Sequence, residues 1–178
     1  MRALIVYESM YGNTHVVANH IADGLRRSYD VDVLPVAQAT PDRVAAADLV
    51  VVGGPTHAHS LSTRGTRKAA VAAARVEAGG LEVDIDATGE GLRDWFKGLG
   101  VQSGPAAAFD TRIDMSSVLT GRASRGIARR LHHAGFYVIT SPTSFFVNKK
   151  DRLVDGEAER ATEWGESLAL VMHYAPTP

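Results

Sequence analysis

Between an apolar run and an amphipathic one lies Ser9-Met10-Tyr11-Gly12-Asn13-Thr14, and no other stretch restricts the fold of this chain as strongly. The run before it, Ala3-Leu4-Ile5-Val6-Tyr7, is short and rich in large aliphatic residues, as a buried strand would be. After it, Val17, Ile21 and Leu25 recur every four residues with Ala18 and Ala22 beside them, the period of a helix with one buried face. A strand that passes straight into a helix through small and hydroxyl-bearing residues makes an anion site. The first N–H groups of a helix lack internal partners, and the helix dipole places partial positive charge there. Ser9, Asn13 and Thr14 add side-chain donors, and Gly12 lets the backbone wrap closely around a ligand. The loop has no lysine, so it is not the triphosphate loop that ends in Gly-Lys-Ser/Thr. Neutral donors of this kind suit a phosphate monoester. The competing reading is an ordinary turn in which Asn13 or Thr14 caps the helix.

The rest of the chain narrows the classes of function. Its 178 residues are expected to form one domain, 1–178, large enough for a core without staples. It has no cysteine, which excludes disulfides, thiolate metal sites, iron–sulfur ligation and cysteine nucleophiles together. A net charge of −1 argues against nucleic acid as a partner. No charged-then-apolar signal pattern and no apolar run of membrane-spanning length is present, so a soluble, cytoplasmic protein without a membrane partner is expected.

Four further segments read as strands: Val31-Asp32-Val33-Leu34, Asp48-Leu49-Val50-Val51-Val52-Gly53, Pro105-Ala106-Ala107-Ala108-Phe109 and Phe136-Tyr137-Val138-Ile139. The longer ones are continuous apolar runs, the mark of parallel strands covered on both faces. Helical patterns fall between them at about 13–28, 41–47, 64–78, 89–98 and 120–134, with a final one at about 157–173. This alternation predicts an α/β doubly wound sheet of five parallel strands with right-handed crossovers and helices on both faces. Two stretches exceed that plan: the Gly-rich 79–103, and 141–156, where Ser144-Phe145-Phe146-Val147 either continues strand five across a bulge or forms a surface flap.

Tyr7-x-Ser9-Met10-Tyr11-Gly12-Asn13-Thr14 resembles the phosphate-binding loop of the flavodoxin-like family, whose members bind flavin mononucleotide (FMN). A second segment supports the resemblance. Gly53-Gly54-Pro55-Thr56-His57-Ala58-His59 matches the family's Gly-x-Pro-Thr pattern and follows the third strand. The resemblance implies strand order 2-1-3-4-5, of which flavodoxin is itself an example, with ligand beyond the carboxyl ends of strands one, three and four. It also implies site residues. Ser9, Met10, Tyr11, Gly12, Asn13 and Thr14 would bind phosphate. Pro55, Thr56, His57 and Ala58 would line the flavin ring, with Asp110, Thr111 and Arg112 on its other side.

The chain departs from the shuttle pattern in having His57 and His59 where a Trp is frequent, and no Tyr or Trp directly after strand four. Arg112, with Arg64 or a protonated histidine, would favour the negative charge of reduced flavin and make its potential less negative than in an acidic flavodoxin. The pairs His57/His59 and His132/His133 lack the additional ligands a metal site needs, so no metal is expected. Three functions fit. In the first, the chain would be an electron carrier that works through bound FMN on a redox partner protein. Alternatively, it is an FMN-dependent oxidoreductase that takes electrons from transiently docked NAD(P)H to a quinone or other small acceptor. A non-redox interaction module with a weakened flavin site is the third.

Overall fold

The computed structural model describes residues 1–57, 60–68 and 89–174, with the side chains of His57 and Ser60 excepted. Its parallel sheet has the order 2-1-3-4-5 expected from the sequence. In chain order the strands are β1 (Arg2–Tyr7), β2 (Asp30–Pro35), β3 (Leu49–His57), the short β4 (Ser60–Leu61), β5 (Pro105–Ile113), β6 (Tyr137–Val138) and β7 (Thr143–Val147). The sheet runs β2-β1-β3-β5-β6, with β4 antiparallel to β3 and β7 parallel to β5. The fifth position is therefore held by two strands in succession. Pro105 and Ala106 pair with Tyr137 and Val138, and Phe109 through Ile113 pair with Thr143 through Val147. Residues 139–142 bulge opposite Ala107 and Ala108, so Ser144-Phe145-Phe146-Val147 continues strand five.

Six helices are labelled here: α1 (Asn13–Leu25), α2 (Pro41–Ala45), α3 (Leu92–Gly98), α4 (Ser117–Thr120), α5 (Ala123–His133) and α6 (Glu157–Tyr174). Residues 64–68 are also helical; the remainder of the helix expected at 64–78 lies outside the described residues. Alternation along β1 sorts the two layers. Ala3, Ile5 and Tyr7 face α1 and α6, together with Val17, Ile21, Leu25 and Leu168. Leu4 and Val6 face the opposite layer with Leu92, Trp95, Ile127 and Leu131. Both faces are sealed, which explains why these strands read as unbroken apolar runs.

Two close approaches fix this packing. Gly24 and Gly165 meet where α1 crosses α6; a Cβ on Gly24 would lie 2.1 Å from the Thr162 carbonyl oxygen, and one on Gly165 would lie 2.3 Å from that of Ile21. In the sheet, Gly53 is paired with Phe109, and a Cβ there would lie 2.0 Å from the Phe109 ring. Phe109, Phe145 and Trp164 form an edge-to-face trio with centroids 6.0 to 6.2 Å apart. Arg160 of α6 closes over the Phe145 ring at 4.5 Å and pairs with Glu157, whose Oε2 accepts from the Phe146 N–H at 2.7 Å. These contacts seat β7 on α6.

Candidate functional site

The chain passes from β1 into α1 through residues 8–12, and α1 begins with Gly12 as its N-cap in the left-handed region at φ 81°. The first backbone bond of the helix runs from Val16 N–H to the Gly12 carbonyl. No side chain caps this end, and no acidic residue stands in the first turn. The N–H groups of the first turn therefore face the loop with the positive end of the helix dipole behind them. Ser9 is buried in that loop, and its hydroxyl has no partner among the described residues. A buried hydroxyl left unpaired costs on the order of 1–3 kcal/mol, so the loop is poised to accept a ligand oxygen.

A cleft of about 180 Å³ opens in front of the helix. That is several times the roughly 30 Å³ share of a water molecule and enough for a phosphoryl group. Met10, Tyr11, Asn13, Thr14, Pro55, Thr56, Thr111 and Arg112 all contribute to its walls. The carboxyl ends of β1, β3 and β5 thus bring three separated sequence segments together.

Within this group the side chains hold one another. Thr14 and Thr111 share a hydrogen bond of 2.7 Å. Asn13 Nδ2 donates to the carbonyl of Asp151 at 2.7 Å. Thr56 Oγ1 donates to Asp110 Oδ2 at 3.1 Å and accepts from the Ala123 N–H at 2.9 Å, while Ser124 N–H donates to the same Asp110 oxygen at 2.7 Å. Asp110 and Thr56 therefore cap α5, whose first turn has no acid of its own. Arg112 Nη1 donates to the carbonyl of Met115 at 2.6 Å and to Thr120 Oγ1 at 3.1 Å, and the guanidinium lies 4.7 Å from the Phe146 centroid. His57 ends β3 by pairing with Ser60; Ala58 and His59 lie outside the described residues.

Residues 4–65 match the family model described as the flavodoxin domain. Solved structures extend the likeness over nearly the whole chain. A flavodoxin from the domain Archaea is 19% identical, with 98% of this chain and 100% of that one covered at a TM-score of 0.66. Flavodoxin 1 from Bacillus cereus is 15% identical, with 99% and 100% covered at 0.66. The Streptococcus pneumonia TIGR4 flavodoxin is 19% identical, with 96% and 99% covered at 0.62. This chain has the flavodoxin fold. No curated protein sequence matches it.

Three features of this site were not legible in the sequence. Asp151, with Val147 and Ile113, completes the cleft. Asp151 belongs to the charged turn after β7 and sits at φ 50°, while Asn148 Oδ1 organises that turn by accepting from the Lys150 and Arg152 N–H groups. A left-handed Asp within an Asn-initiated turn is the signal that could have found it. Glu8, also overlooked, is buried behind the loop. Its Oε2 accepts from the Leu92 N–H at 2.8 Å, and its Oε1 from Ser62 Oγ, which also accepts from Arg67 Nη1 at 3.0 Å. Finally, the need for glycine at positions 53 and 54 is internal to the chain. A Cβ on Gly54 would lie 2.7 Å from Leu92 Cδ1, as one on Gly53 would strike Phe109.

Among the described residues no group of three His, Cys, Asp or Glu side chains could hold a metal, and no helix is long and apolar enough to cross a membrane.

Proposed function

We propose that the cleft binds FMN by its phosphate and that the chain works in the cytoplasm as an electron carrier for a redox partner protein. The observation that carries this reading is the uncapped start of α1, with Gly12 left-handed, no acid in the first turn and the buried Ser9 hydroxyl without a partner among the described residues. An anion at that point gains both the free N–H groups and the helix dipole, and it satisfies Ser9. Bound FMN would supply reversible electron transfer at its ring.

The chain's own residues would do the rest. The first-turn N–H groups of α1 hold the phosphate, and Ser9 Oγ donates to it. Thr14 and Thr111 keep the loops after β1 and β5 in register through their shared hydrogen bond. Tyr11, Pro55 and Thr56 border the space leading from the phosphate toward the strand ends. Arg112, fixed by the Met115 carbonyl and Phe146, keeps a positive charge at the cleft wall. That charge favours an anionic reduced flavin and supports a less negative potential than an acidic flavodoxin would give.

Titration of the apoprotein with FMN, read as flavin fluorescence, tests the binding. Saturable quenching that Asn13→Ala or Thr14→Ala weakens is expected. No quenching at micromolar concentrations, about −8 kcal/mol, would replace this reading with an interaction module. Anaerobic NADPH added to the loaded protein then separates the two redox roles. Unchanged flavin absorbance is expected of a carrier that needs a partner protein, whereas rapid bleaching would make it a reductase of quinones or other small acceptors.

A further inference from the structure

Beyond β5 the chain runs along the mouth of the cleft as an exposed, largely apolar segment. Every residue from Ile113 to Leu119 is exposed, and Ile113, Met115, Val118 and Leu119 are large and apolar. Val118 is 86% and Leu119 62% exposed, and α4, which carries both, buries no residue. These side chains therefore contribute nothing to the core. Single exposed apolar residues are ordinary, whereas a contiguous run of them marks a contact surface. The segment is held to the cleft wall, since Arg112 Nη1 donates to the Met115 carbonyl and to Thr120 Oγ1.

The turn after β7 lies alongside, because the Asp114 N–H donates to the Val147 carbonyl at 3.0 Å. Lys149, Lys150 and Arg152 of that turn are exposed, and none has a carboxylate partner among the described residues. Asp151 between them lines the cleft, and its carbonyl accepts from Asn13 Nδ2, so the turn is fastened to the loop after β1. On the other side of the apolar segment, Arg122 and Arg125 stand at the start of α5. With Arg112, these cations face the carboxylates of Asp114, Asp151 and Asp155 only, within 112–125 and 148–155, although the whole chain has net charge −1. Positive charge is thus gathered at the end of the sheet where the cleft opens.

We propose that this face docks an acidic protein, with an apolar centre over Val118 and Leu119 and carboxylates against Lys149 and Lys150. An apolar middle within a charged rim is the build of a protein contact, and complementary charge steers encounter and fixes orientation. That this protein is the redox partner rests on the carrier reading above; the docking itself needs no flavin. A lipid surface fits less well. Helices that lie on membranes present a long apolar stripe, whereas α4 has four residues and Asp114 stands close before it.

Biolayer interferometry on the full-length chain, with and without FMN, tests the proposal against an acidic ferredoxin, basic cytochrome c and phosphatidylserine vesicles. Ferredoxin should bind saturably at low salt and weaken as salt rises, and cytochrome c should not bind. Lys149→Glu combined with Lys150→Glu should weaken ferredoxin binding about tenfold or more. Val118→Ser combined with Leu119→Ser should weaken it measurably, and both double variants should keep the thermal midpoint and the quenching of FMN. Absence of ferredoxin binding, cytochrome c binding as tightly, or ferredoxin affinity unchanged in the lysine variant would each overturn the acidic partner. Affinity unchanged in the Val118 and Leu119 variant would overturn the apolar centre. Vesicle binding lost in the lysine variant, without ferredoxin binding, would put a lipid surface in the protein's place. Ferredoxin binding without any quenching of FMN would overturn the carrier reading and leave the docking face standing.

Discussion

The hydroxyls of Thr14 and Thr111 lie 2.7 Å apart although 97 residues separate them in sequence. The bond is buried and ties the first turn of α1 to the carboxyl end of β5. Replacing Thr14 by Val keeps the volume and removes both the bond and a donor from the cleft. Thr14→Val should lower stability by about 1 kcal/mol and weaken FMN binding roughly tenfold. Urea denaturation and fluorescence titration check the two effects; unchanged FMN affinity would remove Thr14 from the site.

Gly53 and Gly12 should respond to alanine in different ways. At Gly53 the added methyl would collide with the Phe109 ring, so Gly53→Ala should cost about 1–3 kcal/mol or more. For a chain of this size that lowers the thermal midpoint by roughly 2–4 °C per kcal/mol. At Gly12 nothing lies within 4 Å, and the penalty comes only from φ 81°, about 1 kcal/mol. Calorimetry on both variants should rank Gly53→Ala as the more damaging.

Asp110 Oδ2 accepts from both Thr56 Oγ1 and the Ser124 N–H, so its removal should act first on α5. Asp110→Ala is expected to lose about 1–2 kcal/mol, the usual range for a lost helix cap. Amide exchange should quicken in the first turn of α5 before it does so in β1. Uniform quickening across the sheet would refute the assignment of Asp110 as a local cap.

Tyr29 is buried, its hydroxyl has no partner among the described residues, and burial pushes its pKa above the ordinary value of 10.0, with Asp48 and then Tyr137 adding to the shift. The folded state therefore holds this proton more tightly than the unfolded state does. The resulting stability is fully present below about pH 10 and is lost as pH rises through the folded value. Tyr29→Phe should be neutral or stabilising by up to about 1 kcal/mol at pH 7 and should soften the alkaline loss. Denaturation midpoints of both proteins at about pH 7 and pH 11 decide it: an equal alkaline loss in the two would rule Tyr29 out as its source.

The order of the sheet was legible because β1, β3 and β5 are buried on both faces and therefore spell continuous apolar runs. The passage from β1 into α1 through Ser9 to Thr14 was legible for a related reason: a helical period that starts at Asn13, straight after a buried apolar run, leaves Gly12 to turn the chain. What escaped the sequence depended on distance in three dimensions. Asp151 reaches the cleft only because β7 continues the fifth strand after the bulge at 139–142. Glu8 reads as one polar residue among several, yet its carboxylate joins the loop after β1 to Leu92 and Ser62. Gly53 and Gly54 entered as part of the Gly-x-Pro-Thr match, and a sequence cannot show which neighbour a missing Cβ makes way for. Here it is Phe109 and Leu92.

The crossing at Gly24 and Gly165 joins the first helix of the chain to α6. A ribosome that adds about 5–20 residues each second needs on the order of ten seconds to travel from one glycine to the other. During that interval α1 can lie on β1 and still expose the flank that α6 will cover. The nascent chain thus acquires its first helix early and the rear support of that helix late, and a chaperone that shields apolar helix surface would find its target on α1 until Gly165 arrives.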